Sequence, residues 1–223
     1  MTVEDFITAF RSELGDNAAP YLWSDEDIVR YLNEAVDEAC ERAKLIEDST
    51  SADCCEVTLV ANQASYPLHA SVLHVKRVAI NGRRLELTSI EAMDEAYGGN
   101  WEARVANVPH AVVVSDDARS LRFFPVPTQA GTATLRIYRT PLEPLSVDAD
   151  HSEPEIRSVY HPRLKNWVYR CAYLKDDAET FDRNKANDFE ARFVADFGER
   201  PDANVQRKRR DRRPPRVRFN PSW

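Results

Sequence analysis

Asp148, Asp150 and Ser152 stand at positions 1, 3 and 5 of a calcium-loop pattern, where short oxygen-bearing side chains converge on one cation. Position 6 should be glycine and is Glu153, and position 12 should be glutamate and is Val159. The pattern therefore fails, and acids leading into a helix N-terminus account for the segment better. Cys54 and Cys55 are adjacent, with no second cysteine pair at metal-finger spacing. Adjacent thiols at a strand edge read as small buried hydrophobes. The histidines His69, His74, His110, His151 and His161 are scattered, and a structural or solvated role fits each better than catalysis. No nucleophile elbow, zinc-protease helix, dinucleotide fingerprint or phosphate loop occurs. The expectation is a protein that is not an enzyme and takes no cofactor or metal.

Two further groups of residues have types that matter. Trp167, Tyr169, Tyr173, Phe181, Phe189, Phe193 and Phe197 could line a cofactor groove, but at helical spacing they read as core. The C-terminal run RKRRDRRPPRVRFNPSW is less easily dismissed. Residues 207–223 hold eight cations, Arg207, Lys208, Arg209, Arg210, Arg212, Arg213, Arg216 and Arg218, and one acid, Asp211. Val217, Phe219 and Trp223 place apolar anchors among them, which suits a segment that orders on a partner. Nucleic acid is one candidate partner and an acidic protein surface is another.

The elements that must position these residues follow from periodicity. Val3, Phe6, Ile7, Phe10 and Leu14 predict a helix over 3–14, with Thr2 and Asp5 spaced as a capping box. Ser24 caps a second helix whose stripe is Ile28, Leu32, Ala35, Ala39 and Ala43. It is predicted to run to Ile46, roughly 33 Å. Strands are predicted at 56–60, 65–68, 72–80, 83–87, 111–115, 120–124 and 132–138, with Asn81-Gly82 as a two-residue hairpin turn. Asp116-Asp117 and Pro125-Val126-Pro127 separate the later strands, and a short helix at 90–97 stops at Gly98-Gly99. Two helices close the pattern at 159–175 and 177–197, the latter stopped by Gly198 and Pro201.

The fold class expected is α+β: a bundle of two N-terminal and two C-terminal helices, with an inserted antiparallel β domain and an extended arm. The expected boundaries are 1–50 and 148–200 for the bundle, 51–147 for the β-rich insertion and 201–223 for the arm. Neither helix pair alone closes a core, so pairs distant in sequence must pack together.

Charge divides along the same lines. The 223 residues carry 30 bases and 37 acids, but residues 1–206 alone carry 22 and 36. An acidic body of net −14 argues against duplex DNA lying across it. No run of about 18 apolar residues offers a membrane span. The start MTVEDFITAFRSELGD lacks the cations and the apolar stretch of a signal peptide, so a reducing host cytoplasm and four free thiols are expected.

LWSDEDIVRYLNEAVDEACERAKLI (22–46), QASYPLHASVLHVKRVAING (63–82), LRFFPVPTQAGTATLRIYRTPLEPL (121–145) and PEIRSVYHPRLKNWVYRCAYLKDDAETF (154–181) resemble, in this order, the head-to-tail adaptors (connectors) of short-tailed bacteriophages. The resemblance spans roughly residues 20–200 and rests on the order of four segments, none of them catalytic. It implies a virion protein whose ring, about twelve copies, sits beneath the portal at the capsid vertex. It further implies genome retention and a docking platform for tail nozzle and tail fibre proteins. Portal protein and neighbouring subunits are the implied partners, with transient contact to packaged DNA and none to membrane. The roles carried over are scaffold roles for Trp23, Tyr31, Tyr66-Pro67, His161, Trp167 and Tyr169. The basic arm is expected to bind portal or neighbour, with Phe219 and Trp223 as anchors. The alternative is a nucleic-acid-binding protein that grips its ligand with the arm alone.

Overall fold

The computed structural model describes residues 1–115, 119–175 and 180–202. The basic arm, Arg207 to Trp223, and the Asp116-Asp117 loop lie outside the described residues. In chain order the first elements are α1 (Val3–Leu14), α2 (Asp25–Ala43), β1 (Ile46–Asp48), α3 (Ala52–Cys55), β2 (Glu56–Leu59) and β3 (Ser65–Pro67). Then come β4 (Val72–Ile80), β5 (Arg83–Arg84), β6 (Glu86–Thr88), α4 (Ile90–Tyr97) and β7 (Val105–Ala106). They are followed by β8 (Ala111–Ser115), β9 (Ser120–Phe124), β10 (Val126–Pro127), β11 (Gly131–Arg139), α5 (His161–Tyr173) and α6 (Arg183–Phe197). The chain is thus a mixed α+β protein with two compact units. Among the described residues no helix is long and apolar enough to cross a membrane.

The helical unit comprises Met1–Asp48, Ala70–His74 and Ile137–Arg200. Its helices form for local reasons: Thr2 and Asp5 close a reciprocal capping box on α1, and Ser24 Oγ accepts the Asp27 N–H of α2 at 3.1 Å. Each helix then buries one stripe. Phe6 and Phe10 of α1, Leu32 and Ala35 of α2, Leu164 and Trp167 of α5, and Phe193 and Phe197 of α6 share a single cluster. Trp23, Tyr31 and Tyr169 lie in the same cluster, and Phe189 packs against it. The aromatic stripe is therefore core, as its spacing implies, except for Phe181, which is exposed, and Tyr173, which is half-buried and stacks on Phe189.

The second unit contains Ser49–His69 and Val75–Arg136. One sheet runs in the order β3-β9-β8-β6, with Val113 opposite Arg122 in the central antiparallel pair. Met93 of α4, Trp101, Val113 and Phe124 form its local cluster, and Trp101 Nε1 donates to Asp94 at 2.7 Å. Asn81 and Gly82 both take left-handed φ, 50° and 77°, as the tight turn between β4 and β5 requires. Tyr66 Oη accepts the Val60 N–H at 2.8 Å and pins the turn that precedes β3.

Several expectations are corrected. The β unit is not purely antiparallel: β6 pairs parallel with β8, and β10 pairs parallel with β7. The 83–87 strand is two, because Leu85 turns inward and gives its N–H to Val78 O before β6 leaves for another sheet. Val126-Pro127, expected as a separator, is a strand. Cys54 and Cys55 are buried as expected, but in the one-turn helix α3 and not at a strand edge. Helix α2 stops at Ala43, where Lys44 turns left-handed (φ 51°) and frees Ile46 to enter β1. Helix α6 starts at Arg183 because Asp182 caps it, accepting from the Asn184 and Lys185 N–H groups. Residues 158–160 form a 3-10 turn ahead of α5.

Candidate docking groove of the helical unit

The 3-residue strand β1 pairs with the end of β11, Ile46 opposite Arg139 and Asp48 opposite Ile137. In that register Arg139 and Asp48 are diagonal neighbours on one face, and both are buried. Arg139 Nε donates to Asp48 Oδ2 at 2.6 Å, and its two Nη atoms pair with Glu155. Its Nη1 also donates to Thr140 O at 3.1 Å. The guanidinium holds the Glu155 carboxyl below its ordinary range, more than burial raises it. Glu155 in turn accepts the Leu142 N–H at 3.1 Å. One buried cation thus fixes both ends of the segment from Thr140 to Glu155.

A second clamp fixes its middle. Asn33 on α2 donates to Leu145 O at 2.9 Å and accepts the Leu145 N–H at 2.8 Å, a bidentate side-chain-to-peptide pair across 112 residues. Beyond Glu155, the buried His161 donates from Nε2 to Ile156 O at 3.0 Å. Between α2 and the clamped segment lies a cavity of about 500 Å3, bounded by Asn33, Val36, Leu142, Pro144, Leu145 and Pro154. Its walls are mostly apolar, with Glu143 and Glu153 among the lining residues. Ser152 is a lining residue too; its Oγ is shielded from solvent and has no hydrogen bond among the described residues. A concavity of this size, apolar with a few polar groups, has the general make-up of a binding pocket.

Beside it, α2 carries a ridge of Asn33, Asp37 and Glu41, each four residues after the last. Asp37 makes no ion pair or hydrogen bond among the described residues, and partial burial raises its carboxyl pKa. Burial, with the Asp37 and Glu155 carboxylates, pushes the Cys40 thiol up to about 12, so it is inert. Farther round the helix, Glu38 accepts from Arg42 Nε at 2.8 Å and from Arg200 Nε at 2.9 Å. Burial alone would raise the Glu38 carboxyl, but the two arginines outweigh it and hold it low. Arg42 also donates to Gly198 O at 3.1 Å. The chain therefore leaves α6 tied to α2 at Arg200, just before the basic run begins.

Acid is concentrated in this unit: 26 Asp and Glu against 14 Lys and Arg, compared with nine against eight over residues 49–69 and 75–136. Of the failed calcium-loop residues, Asp148 and Asp150 are exposed; Asp150 sits with Glu4 and His151 in an equally exposed cluster. The groove was not legible from sequence, because Asn33, Arg139 and Glu155 meet only through long-range pairing. The one local signal was the proline repetition at Pro141, Pro144 and Pro154, which stiffens a segment without regular structure. A family model described as SU10 adaptor protein matches residues 1–218. No curated protein matches the chain.

Proposed function

The chain belongs to the SU10 adaptor protein family of phage structural proteins, and from that premise we propose that it forms the ring joining portal to tail at the capsid vertex. In this role it helps retain the packaged genome and offers the surface on which tail nozzle and tail fibre proteins dock. The observation that carries the reading is the family match itself, which runs through both units and on to Arg218. Neighbouring subunits meet head-to-tail, as a closed ring of about twelve copies requires.

The arm is the portal- and neighbour-binding element. Its cations Arg207, Lys208, Arg209, Arg210, Arg212 and Arg213 precede Pro214-Pro215, and the anchors Phe219 and Trp223 follow. Charge captures the partner first and the anchors dock second. Extended, residues 201–223 span roughly 70–80 Å, enough to leave their own subunit. Deleting 217–223 leaves the helical unit folded and abolishes stable attachment to isolated portal. Reversing the charges of 207–213 slows association and flattens its salt dependence. The opposite outcome is a truncated protein that still gives genome-retaining particles. Tight binding of free duplex DNA with a steep salt slope, removed by the truncation, would favour the nucleic-acid reading instead.

A further inference from the structure

We propose that the groove between α2 and residues 141–155 receives residues 214–223 of a second copy of this chain, so that each subunit's arm locks its neighbour. The inference rests on the ring reading and adds the receiving surface. Three observations select this occupant.

The first is chemistry. The groove is apolar inside, with Glu143 in its lining and Asp37 next in sequence to the lining Val36 on α2, and neither acid makes an ion pair among the described residues. The segment PPRVRFNPSW supplies the complement. In an extended chain Val217 and Phe219 point to one side, and Arg216 and Arg218 to the other. One face enters the cavity while the other meets Asp37 and Glu143.

The second is preorganisation. Arg139 and Asn33 fix the outer wall from both its ends and its middle, so no loop has to be ordered when the occupant arrives. The third is electrostatic. Helical units with 26 acids and 14 bases repel when set side by side, unless cations come between them. The chain keeps its surplus of cations in residues 207–218. An arm laid on the next subunit offsets that repulsion and forms a link at the same time.

The test uses the full chain with p-benzoylphenylalanine in place of Phe219, mixed from isotope-labelled and unlabelled protein and assembled on isolated portal. Irradiation should give label-mixed cross-links between position 219 and peptides containing 33–37 or 141–155. Asp37→Lys with Glu143→Lys should lower their yield about tenfold, and adding Arg216→Glu with Arg218→Glu should restore it. Cross-links confined to one label overturn the neighbour as occupant. Cross-links to portal alone overturn the groove and leave the ring reading standing. If the unsubstituted protein does not attach to portal at all, the ring reading falls and takes this inference with it.

Discussion

Replacing Arg139 by methionine removes one cation and leaves two carboxylates behind. The Arg139 and Asp48 side chains are 5% and 6% exposed, whereas Glu155 is 40% exposed. Asp48 keeps its other contacts, so losing this cation costs at most about 3–5 kcal/mol, while the exposed Glu155 half adds at most about 1 kcal/mol after solvent screening. At roughly 2–4 °C per kcal/mol, melting of the helical unit, followed by helical circular dichroism, should fall by several degrees and at most by about 24 °C. The pH dependence gives a second readout. The Glu155 carboxyl is held below its ordinary 4.5, so its contribution is fully present above that value. It is lost as pH falls through the lower folded-state pKa. In Arg139→Met the part of the acid-side slope due to Glu155 should shrink, leaving what the Leu142 N–H contributes. Combining Arg139→Met with Asp48→Leu should recover part of the loss, because an apolar pair replaces the buried ion pair while the other contacts of Asp48 are given up. A single variant that melts within about 1 °C of the parent, with its acid slope unchanged, would refute the idea that this cation holds the groove wall.

Three further outcomes follow from the helical unit. Trp167→Ala empties a core position against Phe193 and should cost about 3–5 kcal/mol in denaturant unfolding. Ser24→Ala removes the cap of α2 and should cost about 1 kcal/mol by the same measurement, with no change of fold. Burial pushes the Cys40 thiol up to about 12, so it should resist alkylation at pH 8 until the unit is unfolded, whereas the half-buried Cys171, raised to about 11, should react slowly in the native protein. Rapid labelling of Cys40 in the native protein would show that the core around α2 opens.

What could be read in the sequence was local chemistry, and what could not was long-range pairing. Thr2 with Asp5, Ser24, and Asn81-Gly82 each satisfy or bend the backbone within a few residues, so their types announce the structure. The same holds for the stripes of α1 and α5, whose apolar spacing already identifies the buried face. Ile46 misled because it continues the helical stripe of α2. Only its partner Arg139, far along the chain, makes it a strand residue. The parallel pairing of β6 with β8 was hidden for the same reason, since two short strands carry no mark of their partner's direction. In the 148–155 segment the acids were visible, but the role of Glu155 depends on a guanidinium 16 residues away. The groove thus emerges from pairing, whereas the chemistry of the arm proposed to fill it stands openly in the last 17 residues.

The central claim is a head-to-tail ring on the portal, and electron microscopy of the full-length protein mixed with isolated portal tests it most directly. The account predicts a closed ring coaxial with the portal, each subunit contacting its two neighbours through different surfaces. Two-fold dimers as the assembled form, or portals that remain bare at saturating protein, would contradict it.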